Sequence, residues 1–173
     1  MKILVAYQTI HGSTESIAEN IGRALGRHAV VTVCPMHRAP CLDRFDAFVF
    51  GSAEIDGEWL PQACTFLQRS AHAVGDKPVW LFSVGLSDAR PRPLRGVSRR
   101  RERDKLCQCA TRVVTPRDQR VFSGFLASER VATHRINRLL PRARLVRPGD
   151  YREWPQIMDW ARQITTDLTR PAA

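Results

Sequence analysis

The segment Thr9-Ile10-His11-Gly12-Ser13-Thr14 gathers hydroxyl side chains, a histidine and a glycine into one short stretch. A phosphate monoester needs several donors converging on one point without side-chain clashes. If a helix begins at Ser13, its first backbone amides supply donors and its dipole favours an anion. The hydroxyls of Thr9, Ser13 and Thr14 add further donors, and Gly12 allows close backbone approach. The loop has no lysine, so it is neither the G-x-x-x-x-G-K-[ST] loop nor the G-x-G-x-x-G turn. A protonated His11 could pair with a phosphate dianion; a solvent-facing histidine reads equally well. The plainer reading of the whole loop is a helix cap at Ser13 or Thr14 and a turn at Gly12.

Other reactive side chains form no constellation. Cysteines 34, 41, 64, 107 and 109 are odd in number, and Cys107-Gln108-Cys109 is C-x-C rather than C-x-x-C. Free thiols in a reducing compartment are expected, with a redox-active pair as the alternative, and no metal site. His28, His37, His72 and His134 have no companions at ligand or triad spacing. No side chain is assigned as a catalytic acid or base.

The elements that must position the loop are legible from apolar pattern. Lys2 to Tyr7 is apolar without alternation, as in a strand covered on both faces. From Ser13 to Arg27, Ile17, Ile21, Ala24 and Leu25 fall on one helical stripe. A second strand is expected over 29–33, a connection with two prolines over 35–44, and a third strand over 46–50 ending at Gly51-Ser52. A helix over 61–73 and a strand over 79–84, ending at Gly85, follow. A fifth strand is expected over 119–125, with helices over 128–140 and 154–168. Strands alternating with helices imply right-handed crossovers and a parallel sheet covered on both faces. In such sheets ligands sit at the carboxyl ends of strands, which singles out the loops after Tyr7, Phe50 and Val84.

The chain of 173 residues fits one domain, 1–173, with a basic insertion at about 87–112. Its apolar N-terminus is too short for a signal peptide, and no apolar run reaches the roughly 20 residues of a membrane span, so a cytoplasmic protein is expected. The net charge of +10 attracts anions, whether nucleic acid, lipid headgroups or a polycarboxylate. Between Arg90 and Lys105, eight basic residues face two acidic ones. With Pro91 and Pro93 nearby, Ser87 to Arg112 is expected to be poorly ordered. It reads as a solvated loop or as a docking surface.

Three motifs in order carry a family resemblance. Thr9-x-x-Gly12-x-Thr14 after an N-terminal strand resembles the FMN-phosphate loop of flavodoxins. Gly51-Ser52-Ala53-Glu54-Ile55-Asp56-Gly57-Glu58-Trp59 resembles that family's second flavin loop, and Phe82-Ser83-Val84-Gly85 its third. Gly149-Asp150-Tyr151-Arg152-Glu153-Trp154 is similar to the branch of menaquinone-dependent protoporphyrinogen oxidases. The resemblance implies an α/β three-layer sandwich with a five-stranded parallel sheet, order 2-1-3-4-5. It also implies FMN as cofactor, its phosphate held by Thr9, Ile10, His11, Gly12, Ser13 and Thr14. Ser52, Ala53, Glu54, Ile55, Asp56 and Gly57, with Ser83, Val84 and Gly85, would flank the isoalloxazine. Ile55 stands where relatives often carry a stacking tyrosine, and Glu54 and Asp56 add negative charge near the ring. Trp59 could supply a ring instead, or could be a core aromatic.

The resemblance implies an FMN-dependent oxidoreductase like protoporphyrinogen oxidase, passing electrons from a reduced substrate to a quinone or other acceptor. An Arg-rich flap suits a porphyrinogen's carboxylates, an acidic redox partner, or a membrane surface supplying quinone at its inner face. Nucleic acid is disfavoured, because no aromatic interleaving or nucleic-acid motif accompanies the charge. The alternatives are a flavodoxin-type electron carrier without its own substrate and an FMN-free interaction protein.

Overall fold

The computed structural model describes residues 1–55, 57–85, 108–127 and 147–169. Strand β1 (Lys2–Gln8) runs through the middle of the molecule and sends side chains into two cores. Ile3, Val5 and Tyr7 enter one and Leu4 and Ala6 the other, which is why the strand shows no polar alternation. Around it lie β2 (Val30–Pro35), β3 (Ala47–Ile55), β5 (Val79–Gly85) and β6 (Asp118–Ser123), all parallel, in the order β2-β1-β3-β5-β6. This is the expected 2-1-3-4-5 order. The skipped label belongs to β4 (Glu58–Trp59), a short antiparallel partner of the end of β3.

Helix α1 (Ser13–Leu25) buries Ile17, Ala18, Ile21 and Leu25 against one sheet face. The C-terminal helix shares that face; here it is α4 (Trp154–Thr169), with Ile157, Trp160, Ala161 and Ile164 buried. Trp160 sits edge-on to Phe82 and Phe122, closing the core between helix and sheet. Helix α2 (Pro61–Val74) covers the other face, and its proline occupies the first turn, where no amide partner is lost. The expected connection over 35–44 forms two single 3-10 turns, Met36–Arg38 and Leu42–Arg44, which bury Met36 and Leu42.

The expected fifth strand divides. β6 ends at Ser123, and after Gly124 the pair Phe125–Leu126 (β7) joins antiparallel to Gly149–Asp150 (β8). A short helix, α3 (Gln108–Thr111), packs on α2 and buries Ala110. Residues 108–112, within the stretch expected to be poorly ordered, are therefore folded against the core; 86–107 lie outside the described residues, as does the helix expected over 128–140. Cys64 and Cys109 form a disulfide with Cα atoms 5.6 Å apart. The expectation of free thiols fails for this pair because α2 and α3 meet, a proximity that 45 intervening positions of sequence conceal. Cys34 and Cys41 are free, and Cys107 lies outside the described residues.

Gly51 lies inside β3 rather than in a loop, and the Phe82 ring fills the space a side chain would take. A Cβ there would stand 2.0 Å from Phe82 Cζ. Gly51→Ala must displace that fully buried ring, so it is expected to destabilise by about 1–3 kcal/mol in urea unfolding. An unchanged midpoint would mean that the ring has room to move.

Candidate functional site

Parallel register brings the three singled-out loops to one end of the sheet. Tyr7 pairs with Gly51, Gln8 with Ser52, and Ser52 with Ser83, so β1, β3 and β5 finish side by side. At the end of β1 the chain turns through Gly12, whose φ of 86° is a left-handed conformation that favours glycine. No atom lies within 4 Å of the position a Cβ would take. The Thr9 hydroxyl oxygen accepts the Gly12 amide at 3.0 Å, and Ser16 N–H bonds Gly12 C=O to start the helix.

Among the described residues, no side chain caps the N-terminus of α1. The Thr14 side chain is fully buried, and its hydroxyl has no hydrogen-bond partner among the described residues. A buried hydroxyl without a partner is an exception that calls for an explanation. An uncapped helix terminus beside it, with open space at Gly12, fits an anion. Ser13 is used differently from the expectation of three converging hydroxyls. Its oxygen accepts Phe125 N–H at 3.1 Å and its own proton points to Phe125 C=O at 3.2 Å. Ile10 and His11 are exposed beside the turn. Tyr7 donates to Glu15 at 2.5 Å, tying the acidic residue of the first helical turn to β1. Burial first, then this bond, push the Tyr7 phenol above its usual range.

The second loop is a hairpin. Ile55 pairs with Glu58 and Glu54 with Trp59, leaving a two-residue connection in which Gly57 has φ 83°. Ser52 is buried, donating to Ala53 C=O at 2.8 Å and accepting Leu60 N–H at 3.2 Å. Trp59 is buried and donates through Nε1 to the buried Ser83 hydroxyl at 2.7 Å, which makes it a core aromatic. Both serines therefore brace the loops through hydrogen bonds within the protein. Ile55 stands 48% exposed at the tip, next to Asp56, which lies outside the described residues. Ala53 and Glu54 are half-buried, and the Glu54 carboxylate oxygens are shielded from solvent. In the third loop Val84 is buried, and Gly85 C=O accepts Gly124 N–H at 2.9 Å.

Sequence reasoning missed the strap behind the loop that follows β1. Arg152 grips Asp150 through Nε at 2.7 Å and Nη2 at 2.5 Å, and donates through Nη1 to Ser16 Oγ at 2.7 Å. Its guanidinium lies 4.8 Å from the Trp154 ring centre and 5.7 Å from that of Phe125. Ser16 in turn donates to Ser13 C=O at 2.9 Å. The third loop, β7, the loop after β1 and the entry to α4 are thus one network. The Gly149–Trp154 motif was visible in the sequence, but its contact with Ser16 spans 136 positions. Among the described residues, no cluster of His, Cys, Asp and Glu could hold a metal.

A family model described as the flavodoxin domain matches residues 4–137. No curated protein matches the chain. Among solved structures it is similar to a flavodoxin from the domain Archaea, at 14% identity and TM-score 0.58, covering 98% of this chain and 100% of that one. Flavodoxin 2 from Bacillus cereus aligns at 19% identity and TM-score 0.56, covering 96% and 99%. Rubredoxin oxygen:oxidoreductase from Desulfovibrio gigas aligns at 11% identity and TM-score 0.54, covering 98% of this chain and 37% of that one. At these identities the likeness is one of fold.

The strap yields a pH-dependent prediction. Hydrogen bonds from Arg152 hold the Asp150 carboxyl below its ordinary range, against an opposing effect of burial. A depressed carboxyl contributes stability that is present above its unfolded pKa of about 4 and lost as pH falls through the folded value. Asp150 is partly exposed, so Arg152→Gln is expected to destabilise by only about 1 kcal/mol near pH 7. That difference should shrink in thermal melts at about pH 3. An equal gap at both values would assign the whole effect to packing on Trp154 and Phe125.

Proposed function

This chain belongs to the flavodoxin-domain family, and on that premise we propose that it binds FMN and acts as a redox protein. The observation that carries the reading is the uncapped start of α1, with Gly12 left-handed and the buried Thr14 hydroxyl without a partner among the described residues. The donor set suits a phosphate dianion held by Thr9 to Thr14, chiefly through backbone amides and the Thr9 and Thr14 hydroxyls. Residues 52–57 and 83–85 would take the ring, with exposed Ile55 as an apolar surface and no aromatic at that position. When bound, FMN supplies the capacity to take up and release electrons singly or in pairs. The protein's own part is positional: Ser13 fixes Phe125, Ser52 and Ser83 brace the hairpin, and Tyr7 restrains Glu15.

The finer reading is a substrate-oxidising enzyme of the protoporphyrinogen oxidase type, with a quinone or other acceptor for the electrons. Its support is the resemblance at 149–154 and the charge of +10, which suits a polycarboxylate substrate or an acidic partner. The second reading, an electron carrier without its own substrate, is favoured by the whole-chain likeness to flavodoxins. Among the described residues no helix is long and apolar enough to cross a membrane. A cytoplasmic protein docking peripherally at the inner membrane face would meet quinone under the first reading.

Thr14→Val should weaken FMN by roughly tenfold while leaving riboflavin nearly unchanged, because a hydrogen bond to a charged group is worth about 1.5–3 kcal/mol. Equal losses for both ligands in fluorescence titration would reduce Thr14 to a structural role. Porphyrinogen turnover separates the two redox readings. An enzyme should oxidise it, and replacing Arg99, Arg100 and Arg101 by Ser should raise KM by about tenfold. A carrier should leave porphyrinogen untouched yet cycle with a flavodoxin reductase. Wild-type protein that does neither would leave the FMN-free interaction protein.

A further inference from the structure

The stretch from Met36 to Asp46 contains two single 3-10 turns and no α-helix. The corner of the sheet beyond the ends of β1 and β2 is consequently left open on the α2 side, as a groove of about 500 Å³. Its apolar floor includes buried Met36 and half-buried Phe66. Gln8, His37, Gln62 and Arg69 stand around that floor. The Gln8, Gln62 and Arg69 side chains take no hydrogen-bond partner among the described residues. Among the described residues, no acidic residue lines the groove.

An apolar floor with a few convergent polar groups, in this range of volume, is the usual composition of a small-molecule site. Charge decides the class of occupant. The described lining offers a guanidinium, and no carboxylate among the described residues neutralises it, on a chain of net charge +10. A guanidinium fork matches a carboxylate, and the amides of Gln8 and Gln62 line the same groove as further donors. We propose that this groove is a binding site for an apolar carboxylate, separate from the loop over 9–14. Gln8 immediately precedes Thr9, and α2 leaves directly from the β3–β4 hairpin. A ligand here would therefore lie beside the loops assigned to the cofactor, without needing their donors.

The test uses the full chain with FMN present and the fluorescent pair 1-pyrenebutyrate and 1-pyrenebutanol. Pyrenebutyrate is expected to bind at one site, with or without FMN. Arg69→Gln should weaken the acid by roughly fivefold, as expected for one exposed charge pair, and leave the alcohol unchanged. Thr65→Trp, which fills the groove from the exposed face of α2, should abolish binding of both while FMN binding persists. Circular-dichroism melts establish that each variant folds. Absence of pyrenebutyrate binding to wild type would overturn the proposal. So would loss of that binding when FMN is added, or unaltered binding by both variants. FMN that fails to bind while the acid still does would reject the cofactor reading and leave this one standing.

Discussion

The start of α1 is set by one backbone constraint, the left-handed turn at Gly12. It reverses the chain as β1 leaves the core, and the next residue is already helical. The N-cap is that glycine itself, which forgoes a capping side chain at a cost of only a few tenths of a kcal/mol, on the order of 0.3. The packing of Ile17, Ile21 and Leu25 against the sheet holds the helix regardless. Tertiary burial thus frees the first turn from its own capping requirement, and the amides stay open to an external anion. The free amides and the partnerless Thr14 hydroxyl are two aspects of one arrangement.

The rest of the site is braced from behind. Gly51 admits the Phe82 ring, which lets β3 and β5 run in register to Ser52 and Ser83. Phe82 also meets Trp160 of α4 and Phe122 of β6. The same ring therefore joins the strands that carry two loops to the helix entered through Arg152. A change at this contact propagates to the loop ends because close-packed interiors transmit strain.

Much of this architecture can be read from the residues alone. Uninterrupted apolar runs such as Leu4-Val5-Ala6 and Phe48-Val49-Phe50 announce strands buried on both faces. The stripes of α1 and α4 are equally plain. What escaped was pairing between distant positions. Ser52, Ser83 and Ser13 were legible as hydroxyls near a site, but the directions they face depend on Leu60, Trp59 and Phe125. Cys64 and Cys109 carry no local sign of each other, and neither do Ser16 and Arg152. Periodicity reports which face of an element is buried, whereas these contacts follow from how separate elements meet.

Those inward-facing hydroxyls have a functional consequence. A cofactor loop that presented its serines to the ligand would have to order them on binding, at an entropic cost of its own. Here Ser52 and Ser83 are already bonded within the protein, and Trp59 is locked by one of them. Among the described residues, what these loops then offer a ligand is backbone, the Thr9 and Thr14 hydroxyls, and the apolar side chains of Ile10 and Ile55, both about half exposed. Backbone donors are fixed by the sheet and cannot rearrange cheaply, so they select for shape and hydrogen-bonding edge. Ile55 would cover a ring without the geometric preference of an aromatic stack. Under the FMN reading, affinity would be drawn from the rigid phosphate end, and the ring end would be left comparatively permissive.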